Sequence, residues 1–376
     1  MKFIHTADLH IGRSLGDISL LEDQRDALRQ ITEYVRAYAP DALLISGDVY
    51  QKSSPQAEAM EVFDAFINEI CSAGCKVILI SGNHDSGQRI DYFGRLIEKS
   101  DVYAAGKAEK QLKRLELRDE FGPVNVYMMP FVRPYNVRAL HPDKDIKTYT
   151  DAVNMLVEAS KIDFSRRNIL LSHQYITGGE FSGSEDLSLG TLDNVDAEEI
   201  NRFDYVALGH LHGAQKVAYD HIRYAGSPVK YSFGESRQKK SVTFVELKEK
   251  GSISVSQLPI KPLRDVRRVY ATFELLDSMP KSDDFIWLTI SDELPPRDWY
   301  RRAEEIFPNL VRHDVVNSKT RQDRNHPEAR DFRVIFNPQE LFCEFYSSQN
   351  NGKAPTQAQI DLFDRIYKEA QTDETA

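Results

Sequence analysis

Six short apolar runs, FIHTAD, ALLISGD, KVILISG, NVYMMP, NILLSH and YVALGH, punctuate the first 210 residues, and five of them stop on or just before a residue able to hold a metal or move a proton. Runs of this length, rich in β-branched residues and bounded by Gly, Asp or Asn, read as buried strands. Segments of helical period lie between them. One carries Leu28, Ile31, Val35 and Tyr38 on one face, another Ala59, Val62, Phe63, Phe66 and Ile70. Together they predict an α/β layered sheet. The later runs RYAGSP, SVTFVEL and ISVSQLP have no clear helices between them and predict antiparallel hairpins.

In an open α/β sheet the ends of successive strands gather along one edge, which is where ligands bind. Asp8 and His10, then Asp48, then Asn83, His84 and Asp85, then His173, then His210 and His212 all fall at such ends. Alone, GNHD reads equally well as loop punctuation; in order with the other four groups it does not. Gly47, Gly82 and Gly209 directly precede Asp48, Asn83 and His210, and glycine there permits strained dihedrals and close approach of backbones. Residues two apart in an extended segment face one way, so Asp8 with His10, and His210 with His212, can share a site.

With His84 and Asp85 set aside, the donors are two aspartates, one asparagine and four histidines. That is too many for one tetrahedral ion and fits two neighbouring ones. Oxygen mixed with imidazole suits manganese, iron or zinc, manganese first. Two such ions clamp a phosphate and activate water, so the chemistry expected is at phosphorus. His84 can then protonate a leaving alkoxide or stabilise the developing charge, with Asp85 holding it in place. His5, His141, His221, His313 and His326 read as ordinary polar or surface residues.

At 376 residues, 41% hydrophobic and 28% charged, the chain is a soluble globular protein of two or three units. No run reaches membrane-spanning length, and MKFIHTADLH reads as neither signal nor transit peptide, so a cytoplasmic location is expected. Cys71, Cys75 and Cys343 read as buried reduced thiols. A net charge of −10 excludes gripping nucleic acid by bulk positive charge alone, though divalent cations offset that charge locally.

Near LPIKPLRDVRR two prolines and Lys261, Arg264, Arg267 and Arg268 mark a linker. Beyond it VYATFEL, DFIWLTI and LVRHDVV read as strands and RDWYRRAEEIF as a helix, a small α+β domain. The polar stretch NSKTRQDRNHPEARD reads as a mobile loop. Two amphipathic segments follow, with apolar stripes Leu341, Phe342, Phe345 and Ile360, Phe363, Ile366, Tyr367. They either pack on each other or dock a partner helix. The division expected is 1–262, 263–337 and 338–376.

The ordered set ADLH, GDVY, GNHD, SHQ and GHLH resembles the calcineurin-like metallophosphoesterase superfamily. HTADLHIG, SGNHDS, RYAGSPVKYSFGE and the tail layout further resemble the family of nuclease subunits of bacterial SbcCD complexes. That resemblance implies a metallophosphoesterase β-sandwich flanked by helices, a capping domain and a C-terminal helical segment gripping the SbcC ATPase. It implies that Asp8, His10, Asp48 and His212 hold one manganese, with Asp48 bridging to a second held by Asn83, His173 and His210, and that His84 is the catalytic histidine. It also implies double-strand 3′–5′ exonuclease and single-strand or hairpin endonuclease activity in DNA repair, recombination and replication, in a heterotetramer built on a homodimer of the nuclease chain. Gly226-Ser227-Pro228 matches a family feature near the metal face, and Arg89, Arg264, Arg267, Arg268, Arg301 and Arg302 are candidate phosphate contacts. Gln51 departs from the family, where His or Asp near the catalytic histidine is common, and puts support of His84 in doubt. The rival expectations are a small-molecule phosphodiesterase or phosphatase of the same superfamily, and a scaffold with a vestigial site.

Overall fold

The computed structural model of the chain describes residues 1–92, 94–183, 185, 194–317, 338–350 and 353–373. These fall into two compact units that divide between Val315 and Val316.

Two six-stranded sheets form the body of the first unit. In one, Lys2–Thr6, Ala42–Ser46, Lys76–Ile80 and Val102–Ala105 run parallel, and Ser241–Leu247 and Ile253–Pro259 extend it as an antiparallel hairpin beside Lys2–Thr6. In the other, Gly122–Met129, Arg167–Ser172, Tyr205–Leu208 and Tyr219–Tyr224 run parallel, with Lys113–Asp119 and Gln215–Val217 antiparallel at its edges. The hairpins expected of the later strands are present, but Tyr219–Tyr224 also pairs parallel with Tyr205–Leu208. A tight turn at Ala218, φ 56°, folds it back there.

Strand residues alternate between two environments. Phe3, Leu44, Ile78 and Ile80 meet Val124, Val126, Met128, Leu171 and Ala207 in a shared core between the sheets. Ile4, Leu43, Ile45, Val77 and Leu79 face the other way, onto the helices Leu21–Tyr38 and Ala57–Ser72. The second sheet is covered likewise by Tyr149–Ala159 through Ala152, Val153 and Leu156. The result is a helix–sheet–sheet–helix sandwich whose central strands are buried on both faces, as continuous apolar runs require. Along Leu21–Tyr38, Ala27, Leu28, Ile31 and Val35 are buried while Tyr38 is 41% exposed at the rim. Each fully buried aliphatic side chain contributes about 1.5–3 kcal/mol.

A three-stranded sheet of Val266–Ala271, Phe285–Ile290 and Leu310–Val315 follows, all parallel, with Phe273–Asp277 and Trp299–Ile306 in the crossovers. The first strand is shorter than VYATFEL suggested: the Thr272 side chain accepts from Leu275 N and starts a helix there. Val266 and Phe285 pack against Leu20, Tyr231 and Phe233, and Arg264 pairs with Asp23 and lies over the Phe285 ring. This sheet therefore rests on the segment that carries Glu235.

The second unit holds the helices Pro338–Gln349 and Gln357–Asp373, joined through stacked rings of Phe342 and Phe363 with centroids 4.5 Å apart. The polar stretch at 318–331, His326 included, lies outside the described residues. The cysteines are free; only Cys75 is buried, with its thiol pushed up to about 12 by that burial, whereas Cys71 and Cys343 are half-buried, correcting the expectation for those two. Among the described residues no helix is long and apolar enough to cross a membrane.

Candidate metal centre

Lys2–Thr6, Ala42–Ser46 and Lys76–Ile80 in one sheet, and Arg167–Ser172 and Tyr205–Leu208 in the other, each run within three positions into a candidate residue. Main-chain bonds stitch the ends together: Asp8 N donates to Gly47 O at 3.0 Å, His10 N to Asp48 O at 2.9 Å and Gly209 N to Ser172 O at 3.1 Å. Asp8, His10, Asp48 and His210 all adopt positive φ, at 53°, 41°, 50° and 101°. Such conformations cost about 1–3 kcal/mol each outside glycine, so the surrounding sandwich imposes them. Two of the preceding glycines act through space, not torsion. A Cβ on Gly82 would stand 2.0 Å from Asp48 Oδ1, and one on Gly209 2.0 Å from Ser46 O.

The side chains converge. His10 Nε2 and His212 Nε2 are 3.2 Å apart, a spacing that one cation about 2.1 Å from each nitrogen reproduces. Asn83 Oδ1 lies 3.1 Å from His173 Nε2 and 3.2 Å from His210 Nδ1. Asp48 Oδ2 sits between the groups, 3.3 Å from His173 Nε2 and 3.6 Å from His10 Nε2. Three groups, Asp8 with His10 and His212, His10 with Asp48 and His84, and Asp8 with Asp48 and His173, each bring their donor atoms within 4.8 Å of one another among the described residues. Asp8, His10, Asp48, His173 and His212 are buried, so few waters satisfy them, and His10 Nδ1 has no hydrogen-bond partner among the described residues. Four imidazoles and two carboxylates so arranged fit a divalent metal centre.

Charge in this space is unevenly placed. Burial lifts Asp8 to about 6 against the pull of His173 and His212. Burial also pushes Asp48 up, but His173, His10 and His84 outweigh it and hold that carboxyl far below the usual range. Burial drives His10 well down and His210 down to about 3, keeping both neutral, the form that ligates. His173 is the exception: burial opposes its charge, yet Asp48 and Asp8 raise it to about 9. To ligate a cation it would have to give up that proton.

His84 is half-buried at the mouth, its Nε2 4.0 Å from Asp48 Oδ2, and its backbone N donates to Asp48 Oδ1 at 2.9 Å. Asp85, the expected support of His84, is engaged with the main chain. Asp85 accepts from Gly82 N, Val49 N and Tyr50 N at 2.9, 3.1 and 3.0 Å, clamping the two turns together. The atom facing His84 Nδ1 is the Gln51 carbonyl oxygen, at 3.1 Å. A carbonyl only accepts, so Nδ1 carries the hydrogen and Nε2 points to the site. The main chain at Gln51 thus orients His84, while its neutral side chain offers no group with which to share a proton.

Sequence reasoning missed the groups behind the candidates. Gln24 Nε2 donates to His10 O at 2.7 Å, and Ser46 O faces His173 Nδ1 at 2.7 Å. Glu235 Oε1 faces His212 Nδ1 at 3.3 Å, and Lys240 Nζ reaches Glu235 Oε2 at 2.5 Å. Glu235 sits at the end of the RYAGSPVKYSFGE segment, but nothing local pairs it with His212. Ser227 of the Gly-Ser-Pro turn donates its N–H to His212 O at 3.1 Å, linking that turn to the same histidine. His5 is fully buried between Tyr205 and Ser46, neutral and outside the cluster. Of the arginines, Arg264, Arg267 and Arg302 pair with Asp23, Asp284 and Asp277, Arg268 lies over Trp287, Arg301 is 4.0 Å from Asp298, and Arg89 donates to Ser54 Oγ at 3.3 Å.

The calcineurin-like phosphoesterase family model matches residues 1–214. The D subunit of the nuclease SbcCD from Staphylococcus epidermidis is 30% identical over 338 residues, 88% of this chain and 89% of that protein. Its counterpart of the same name in Staphylococcus saprophyticus is 36% identical over 321 residues, 83% of this chain and 84% of that protein. Among solved structures, a dimetal phosphatase from Danio rerio matches 70% of this chain and 99% of its own, with a TM-score of 0.41 and 10% identity. With the family match spanning all five motifs and both relatives aligned over more than four fifths of the chain, it belongs to the calcineurin-like phosphoesterase family and is a hydrolase of phosphate esters.

Proposed function

We propose that this chain is a manganese-dependent DNA nuclease, a double-strand 3′–5′ exonuclease and single-strand or hairpin endonuclease, acting in the cytoplasm as a homodimer with the ATPase SbcC. The observation that carries the two-ion chemistry is the shared carboxylate: Asp48 Oδ2 stands between His10 and His173. Asp8 and His212 complete the donors on one side, Asn83 and His210 on the other. When bound, two neighbouring divalent ions supply Lewis acidity toward the phosphate and a nucleophile from water. These fixed donors would hold the ions that orient the phosphodiester, and His84, as an imidazolium with its Nδ1–H on the Gln51 carbonyl, would deliver the Nε2 proton to the departing oxygen. A nucleic acid as the substrate is supported by the two relatives, each the D subunit of a nuclease, and by the additional three-stranded and helical parts.

In this reading residues 1–262 are the nuclease domain, 263–337 cap it and 338–376 dock SbcC. Docking is supported by apolar side chains left outward on the helical hairpin after Phe342 and Phe363 have stacked: Leu341 is 39% and Ile366 55% exposed. Deleting residues 338–376 is expected to leave manganese binding in place and to lower SbcC affinity at least tenfold in a pull-down titration, about 1.4 kcal/mol. Full retained affinity removes the docking role.

The deciding assay is manganese-dependent degradation of an end-labelled linear duplex, with and without SbcC and ATP. Shortening of the label establishes the nuclease. Turnover of a small phosphodiester with no DNA cleavage under any condition moves the reading to the small-molecule rival.

A further inference from the structure

Glu235 and Lys240 belong to none of the five motifs, yet they stand directly behind one candidate ligand. Glu235 is wholly buried, and its Oε1 accepts from Tyr231 N at 3.2 Å while facing His212 Nδ1 at 3.3 Å. A carboxylate only accepts, so His212 carries a hydrogen on Nδ1 and turns Nε2 toward His10 Nε2, 3.2 Å away. Lys240 Nζ neutralises Glu235 and also donates to His212 O at 2.9 Å, Ser227 Oγ at 2.9 Å and Gln238 Oε1 at 2.8 Å. The pair thus fixes both ring and backbone of His212. His173, in the other half of the site, takes its orientation from a main-chain atom, Ser46 O.

We propose that Glu235 is a positioning residue that sets the tautomer and rotation of His212, and so the affinity of the ion site of Asp8, His10 and His212, separately from the site of Asn83, His173 and His210. This rests on the two-ion reading above. An amide at position 235 that offers its oxygen to His212 must turn its NH₂ toward the Lys240 ammonium, donor against donor; flipped, it leaves His212 Nδ1–H facing a donor. Carboxylates behind metal-binding histidines typically carry about 10–100-fold in metal affinity.

The test is calorimetric titration of manganese alone into the full-length, chelator-treated chain: wild type, Glu235→Gln, and Glu235→Leu with Lys240→Met. In both variants one ion is expected to bind about 10–100-fold more weakly while the other keeps its affinity. The double variant, which removes the uncompensated ammonium but leaves His212 Nδ1–H without an acceptor at position 235, should recover metal-free thermal stability lost in the single one without recovering that affinity. Unchanged binding overturns the proposal. So does equal weakening of both ions, or recovery of affinity along with stability, either of which makes the pair merely structural. A wild type that binds fewer than two ions overturns the two-ion reading itself.

Discussion

His84→Ala is expected to bind two manganese ions as the unaltered chain does and to lose about 10²–10⁴-fold in kcat, the range of a positioned acid. The split follows from where its nitrogens point. Nδ1 faces the Gln51 carbonyl, and Nε2, though it converges with His10 and Asp48, stands 4.0 Å from Asp48 Oδ2, farther than His173 at 3.3 Å or His10 at 3.6 Å, on a ring that is half-buried where theirs are buried. Because the interaction is made in the transition state, kcat and kcat/KM should fall together with little change in KM. Calorimetry beside single-turnover cleavage of the labelled duplex checks both halves. Loss of an ion from this variant would reverse the roles assigned to Asn83 and His84.

Asp48→Asn should be the opposite case: neither ion binds at manganese concentrations that saturate the unaltered chain, and cleavage falls at least as far. One carboxylate serves three neighbours. Its Oδ2 lies between His10 and His173, and its Oδ1 accepts the His84 backbone N–H at 2.9 Å. An amide can keep that last bond, so the turn survives. It cannot share a negative charge between two cations, nor balance His173. Equilibrium dialysis against manganese reads this directly. A variant holding one ion at full affinity would show that Asp48 serves one half of the site alone.

The layered α/β class was legible because central strands buried on both faces are written as unbroken apolar runs, and the gathering of Asp8, Asp48, Asn83, His173 and His210 followed from the ends of those runs. Sheet order was not. Ser241–Leu247 joins the first sheet beside Lys2–Thr6, a pairing of Lys2 with Glu246 that no local pattern encodes. Side-chain supports were equally hidden. Asp85 looked like a partner for His84 because it is adjacent, but in a tight turn adjacent side chains diverge, and its oxygens meet Val49 and Tyr50 across the fold. Gln51 was judged by its side chain when its carbonyl does the holding. Glu235 carries no spacing signal toward His212, since only tertiary packing brings them together.

The candidate donors are divided between the sheets, Asp8, Asp48 and Asn83 following strands of one, His173 and His210 following strands of the other. During synthesis the ribosome releases the first three long before the last two, and the first sheet itself waits for Ser241–Leu247. Pairings this distant in sequence form late in folding. A nascent or truncated chain therefore holds only half a cutting edge, and a hydrolase aimed at phosphodiesters stays harmless until its own tertiary structure is complete.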